Sequence, residues 1–90
     1  MWVGRAAYKK LGTLLARVRK DAGVSQVELA NRLGKPQSFV SAYEGGQRRI
    51  DVIELQLVCD ALGIDAGELF QQITEVARTV RVTRKLHPRS

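Results

Sequence analysis

Three times along the chain, a residue with a side-chain oxygen stands three places before a glutamate, with an apolar residue on each outer flank. The runs are Val24-Ser25 to Glu28-Leu29, Ile50-Asp51 to Glu54-Leu55, and Ile64-Asp65 to Glu68-Leu69. Each reads as a helix start. The Ser or Asp accepts from a free backbone N–H of the first turn, and the glutamate reaches back to satisfy a second. The flanking apolar pair staples the entering chain to the helix. Gly34, Gly45-Gly46 and Gly63 each follow one of the helical stretches as a stop, and Gly23 closes an earlier one. Repeated punctuation of this kind predicts an all-α chain.

Apolar spacing fills in the helices between those marks. Leu11, Leu14, Leu15 and Val18 make a single stripe at i, i+3, i+4 and i+7, which predicts a first helix over 7–21. Lys9, Lys10, Arg17 and Lys20 decorate the rest of it. The later helices are expected over 26–33, 36–44, 52–62 and 66–73. Leu55, Val58, Cys59 and Leu62 form the buried stripe of the fourth, with Cys59 a small apolar filler and not a redox group. Residues 76–84 admit two readings. Val76, Ala77 and Val80 prolong the last helix to about 80, ahead of a basic tail, whereas Val80-Arg81-Val82-Thr83 alternates like a strand. The helical reading is preferred. Residues 1–73 form the folded domain on this reading, and 74–90 a basic C-terminal extension.

Composition narrows the chemistry. Ninety residues make one domain with a modest core. Only 6% are aromatic, so Leu, Val, Ile and Ala must fill that core. Cys59 and His87 are the sole cysteine and histidine, which removes an intrachain disulfide and a conventional zinc site. They also leave no nucleophile–base pairing, and the chain has neither a phosphate-cradling glycine loop nor a clustered carboxylate pair. No enzymatic activity and no cofactor are expected. No apolar run approaches the roughly 18 residues of a membrane span, and Met1-Trp2-Val3-Gly4-Arg5 does not begin a secretory signal. A cytoplasmic protein without a membrane partner is the expectation. The net charge of +6 is unevenly spread: residues 1–44 carry +5, 45–75 carry −4 and 76–90 carry +5. Clustered positive charge suits a polyanion such as nucleic acid.

The second and third helices, joined by Gly34-Lys35, make the compact pair that a DNA-binding helix-turn-helix requires. Ala30 provides the small side chain for a close helix crossing, and Gly34 supports the turn. At about 100° per residue, Gln37, Ser38 and Ser41 share one arc of the third helix. Val40, Tyr43 and Phe39 share the opposite one. An acid-free face of Gln and Ser can read base edges, since Gln bonds adenine bidentately and Ser meets several bases. The same residues also read as ordinary solvated side chains, and their pattern alone leaves both open. This helix begins Lys35-Pro36-Gln37-Ser38 without a self-capping side chain. Its first N–H groups are left for water or for a phosphate, with Lys35 adding charge.

Two longer runs carry a resemblance. Arg19-Lys20-Asp21-Ala22-Gly23-Val24-Ser25-Gln26-Val27-Glu28-Leu29-Ala30 resembles the Cro/repressor-type (XRE) helix-turn-helix family. So does Leu33-Gly34-Lys35-Pro36-Gln37-Ser38-Phe39-Val40-Ser41-Ala42-Tyr43-Glu44-Gly45-Gly46, and the likeness extends through Arg48-Arg49-Ile50-Asp51 to Ala61-Leu62-Gly63-Ile64. It spans about residues 8–73. It implies a compact five-helix, lambda-repressor-like DNA-binding domain that acts as a dimer on operator-like sites. It assigns base contacts to Gln37, Ser38 and Ser41, and a thymine-methyl contact to Ala42. It gives Gln26 a phosphate and the bracing of Gln37, and gives Arg48 and Arg49 contacts to the DNA backbone. It pairs Arg19 with Glu44 as a clamp between the first and third helices. Lys35-Pro36 departs from the family, which often has Ser or Thr there, so the local capping differs.

One short reading helix discriminates poorly alone, so a homodimeric transcriptional regulator, a repressor, is the expected form. Its dimer contacts are expected from the last helix and residues 74–85, through Phe70, Ile73, Val76 and Val80; a lid over the monomer core is the other use for these side chains. Among DNA binders a free-standing repressor, a phage or plasmid regulator, a restriction controller and the antitoxin of a toxin–antitoxin pair, with a toxin as protein partner, stay open, and a protein-interaction module is the competing use of the fold.

Overall fold

A computed structural model describes residues 4–82, with side chains to 79. Five helices follow in order: α1 Arg5–Asp21, α2 Gln26–Leu33, α3 Gln37–Glu44, α4 Val52–Leu62 and α5 Ala66–Val82. No strand occurs among the described residues. The expected punctuation sits at the helix ends. Ser25 Oγ accepts from the Glu28 N–H at 3.0 Å, and Asp65 accepts from the Glu68 N–H at 2.9 Å. At Asp51 the box is reciprocal: the Glu54 N–H donates to Asp51 at 2.7 Å, and the Asp51 N–H donates to Glu54 at 3.0 Å. Glu28 instead pairs with Arg32 one turn on. Arg32 in turn donates to the Ala61 carbonyl at 2.7 Å, tying α2 to the negative end of α4.

The core gathers Leu14 and Leu15 of α1, Val24, Leu29 and Ala30 around α2, Val40 and Tyr43 of α3, Val58, Cys59 and Leu62 of α4, and Leu69 of α5. Leu55 is half-buried at its margin. Cys59 is fully buried, and burial pushes its thiol above the ordinary value, which suits packing and not reactivity.

Three boundaries differ from expectation. Helix α1 begins two residues early, at Arg5. Helix α3 begins at Gln37, because Pro36 is extended (φ −70°, ψ 155°) and serves as the N-cap. Helix α5 runs unbroken from 66 past both 73 and 80 to 82, so the strand reading fails for 80–82; residues 83 and 84 lie outside the described residues. Its extension has a visible cause. Ile73 and Val76 continue the Leu69 stripe onto the core, and Gln72 accepts from Arg17 of α1 at 2.8 Å. Two of the side chains expected to face a second subunit therefore serve the monomer. Phe70 points away, 62% exposed, and the Val80 side chain lies outside the described residues.

Gly12 fixes how closely α1 lies on α3. It is buried, and an added Cβ there would overlap the carbonyl oxygens of Tyr43 and Glu44 at the end of α3. These are backbone atoms, so a helix would have to move. Gly12→Ala is expected to cost about 2 kcal/mol, because overpacking outweighs the ~1 kcal/mol that alanine gains over glycine in a helix. Thermal unfolding reads the difference, and an unchanged midpoint would mean that the two helices lie farther apart.

Candidate nucleic-acid interface

The α2–α3 pair and its turn carry Gln26, Lys35, Gln37, Ser38, Ser41 and Ala42. Gly34 ends α2 in the left-handed conformation (φ 68°), and the Lys35 N–H donates to the Ala30 carbonyl at 3.0 Å. That turn packs α3 against α2, and Ala30 of α2 is buried. Val40 and Tyr43 of α3 then enter the core, while Gln37, Ser38 and Ser41 stand exposed on the outer side and Ala42 is half-buried at its edge. Burial raises the Tyr43 hydroxyl well above its ordinary range, so it stays protonated. No side chain caps the start of α3.

A polar network runs from the interior to this surface. Arg19 and Glu44 are 7% and 8% exposed. Arg19 Nε donates to Glu44 Oε2 at 2.7 Å, its Nη2 to Oε1 at 3.0 Å, and its Nη1 to the Val24 carbonyl at 2.8 Å. The hydrogen bonds to Glu44 hold the guanidinium's pKa above its usual value. Gln26 Nε2 also donates to Glu44 Oε1, at 2.9 Å, and Gln37 Nε2 donates to Gln26 Oε1, at 3.0 Å. The network thus brings Arg19, Glu44, Gln26 and Gln37 together.

Three cations sit against aromatic rings, two at Phe39 of α3 and one at Tyr8 of α1. Lys35 Nζ lies 5.5 Å from the Phe39 ring centre, and the Arg48 guanidinium lies 4.7 Å from it. Phe39 itself meets Tyr43 edge-on at 5.5 Å. Arg49 stacks over Tyr8 of α1 at 5.0 Å. Arg48 also pairs with Glu54 through contacts of 3.1 and 3.0 Å and donates to the Arg49 carbonyl. Glu54 is held below the usual carboxylate range, first by Arg48 and then by the Asp51 N–H. The sequence reading missed these supports. An aromatic residue four places after Lys35 was the available signal for Phe39; nothing local marked Tyr8, and Glu54 was marked only as the partner of Asp51, not of Arg48.

Comparison with known proteins adds an independent line. The family model described as Helix-turn-helix matches residues 15–69. An uncharacterized HTH-type transcriptional regulator, y4dJ of Sinorhizobium fredii, is 38% identical over 61 residues, covering 68% of this chain and 79% of that protein. The solved structure of an XRE-family like protein from Pseudomonas syringae pv. tomato is 46% identical with a TM-score of 0.69, covering 78% of this chain and 85% of its own. The restriction-modification controller protein C.AhdI from Aeromonas hydrophila is 34% identical with a TM-score of 0.67, covering 72% of this chain and 94% of its own.

Proposed function

The chain belongs to the XRE-type helix-turn-helix family, and from that premise we propose that it is a sequence-specific DNA-binding regulator of transcription, acting as a homodimeric repressor. The observation that carries the reading is the outer face of α3. Gln37, Ser38 and Ser41 are exposed there, at an N-terminus that no side chain caps, while the one acid of the helix, Glu44, is buried and paired with Arg19. An α-helix fits the major groove, and amide and hydroxyl groups match the donor–acceptor patterns on base edges. Gln37, Ser38 and Ser41 read bases, with Ala42 against a thymine methyl. Gln26, Lys35, Arg48 and Arg49 meet phosphates, which fix register without carrying sequence information.

Dimerisation follows from need and is supported by an available surface. Val52, Ile53 and Leu57 of α4 and Phe70 of α5 are large apolar side chains left more than half exposed, and exposed apolar surface marks protein contacts. The same side chains would meet a toxin if the chain were an antitoxin. Sedimentation of the purified chain tests the homodimer, and a stable complex with a small toxin encoded beside this chain would mark the antitoxin. No helix among the described residues is long and apolar enough to cross a membrane, and a cytoplasmic regulator is in keeping with that.

Selection of bound duplexes from a random pool tests the reading. The expected outcome is a two-fold symmetric site whose half-sites lie about 34 Å apart, one helical turn. An absence of enrichment would count against sequence-specific binding, and an asymmetric single site would count against the dimer. Arg48→Ala and Arg49→Ala are each expected to weaken specific and random DNA alike and to flatten the salt dependence by about one unit of log–log slope per lost contact. A loss confined to one base position would reassign these residues to base reading.

A further inference from the structure

We infer that Glu44, which lies inside the domain and touches no base, is a positioning residue that sets the base preference of Gln37. This rests on the proposed reading role of α3 and adds a cause for which base it selects.

A carboxylate accepts hydrogen bonds and donates none. Glu44, fixed by two bonds from Arg19, therefore accepts only the NH2 end of Gln26, and the Gln26 Nε2–Glu44 Oε1 bond is 2.9 Å. The carbonyl end of the Gln26 amide is left to face outward. It accepts in turn only from the NH2 end of Gln37, at 3.0 Å. One buried charge thus determines the sense of two successive amides, although neither end of an amide is distinguished from the other by shape.

The consequence falls on the exposed Gln37. Its NH2 group has two N–H bonds, and one is committed to Gln26. What remains for a base is one donor beside one acceptor. Adenine offers N7 as an acceptor and N6–H as a donor, which this pair complements. Guanine offers N7 and O6, both acceptors, and would need both N–H bonds of an unrestrained glutamine. The relay removes that option, so selectivity for adenine over guanine depends on Glu44.

The test compares pairs of duplexes that differ only by A·T or G·C at one base pair, taken position by position through the site, each titrated with the full-length parent, Glu44→Gln, Gln26→Leu and Gln37→Ala. Glu44→Gln presents an amide that can donate or accept, which frees Gln26 to turn. Gln26→Leu cuts the relay and leaves the Arg19–Glu44 pair intact, so it serves if Glu44→Gln folds poorly. The ratio of the two affinities cancels any loss of folded protein or of phosphate contacts. The expected result is that the A-over-G ratio falls about tenfold in both relay variants, within the range of one bidentate base contact, while ratios at other positions hold. A purely structural role for Glu44 would lower both affinities and leave the ratio as in the parent, which overturns the inference. If Gln37→Ala also leaves the ratio unchanged at every position, the reading role of Gln37 falls, and the inference with it. If Gln37→Ala alone changes it, Gln37 still reads the base and only the relay is refuted.

Discussion

Glu44→Ala is expected to remove about 3–5 kcal/mol of folding stability, a large share of the roughly 5–15 kcal/mol that holds a domain folded. The cause is what the substitution leaves behind. Arg19 is 7% exposed and places three N–H bonds on Glu44 and the Val24 carbonyl. Without the carboxylate, a charge stays buried with one neutral acceptor, and the Gln26 amide loses its partner as well. Removing both charges in favour of apolar residues of similar volume would cost far less, because the penalty belongs to the unpaired ion and not to the absent attraction. The Glu75–Arg78 pair is the internal control. Its side chains are 70% and 62% exposed, and Arg78→Ala is expected to change stability by less than about 1 kcal/mol. Urea unfolding followed by circular dichroism measures both. A Glu44→Ala midpoint close to the parent's would mean that Arg19 reaches water and that the clamp adds little.

Raising salt from 50 to 200 mM is expected to weaken DNA binding about ten-thousandfold. Each phosphate neutralised on duplex DNA releases condensed counterions, and log affinity falls with log salt by about 0.9 per contact. About four contacts per subunit give a dimer a slope near −7. Lys35 and Arg48 lie against Phe39 of α3, Arg49 lies against Tyr8 of α1, and the start of α3 has no side-chain cap. The slope also reports on Arg48. If its guanidinium stays on Glu54 in the complex, as in the free protein, the dimer slope is shallower by about 2. Fluorescence anisotropy over a salt series supplies the value. A slope near zero would remove the phosphate contacts from the account altogether.

Much of the fold was legible because its boundaries are written in local chemistry. Ser25, Asp51 and Asp65 cap the helices that follow them, and Gly34 and Gly63 end α2 and α4 with positive φ. Such signals act within a turn or two of chain and are visible without tertiary structure. The far end of α5 was legible in part: the spacing of Val76, Ala77 and Val80 carried the helix to about 80, close to its end at Val82, although 66–73 was the segment marked by a cap and a strand pattern competed over 80–83. The bond from Arg17 to Gln72 that ties the extension to α1 is a contact that no local pattern encodes. Gly12 was silent for the same reason. Inside a helical stripe it looks like a weak helix former, and its need appears only where the α3 carbonyls approach. At the candidate site, helical angles alone grouped Gln37, Ser38 and Ser41. The partnership of Arg19 with Glu44 came from family likeness, because residues 25 apart give no periodic signal. The bond from Gln26 to Glu44 that joins the clamp to the reading face was not foreseen, nor was the hold of Glu54 on Arg48.

The central claim is that the outer face of α3 distinguishes one base sequence from another. Its most direct measurement is the affinity of Gln37→Ala for the preferred duplex and for every single-base variant of that duplex. The account predicts a loss of about 1–3 kcal/mol on the preferred site, with preference relaxed at one base pair in each half-site and kept elsewhere. An equal loss on all duplexes, random ones included, would contradict it.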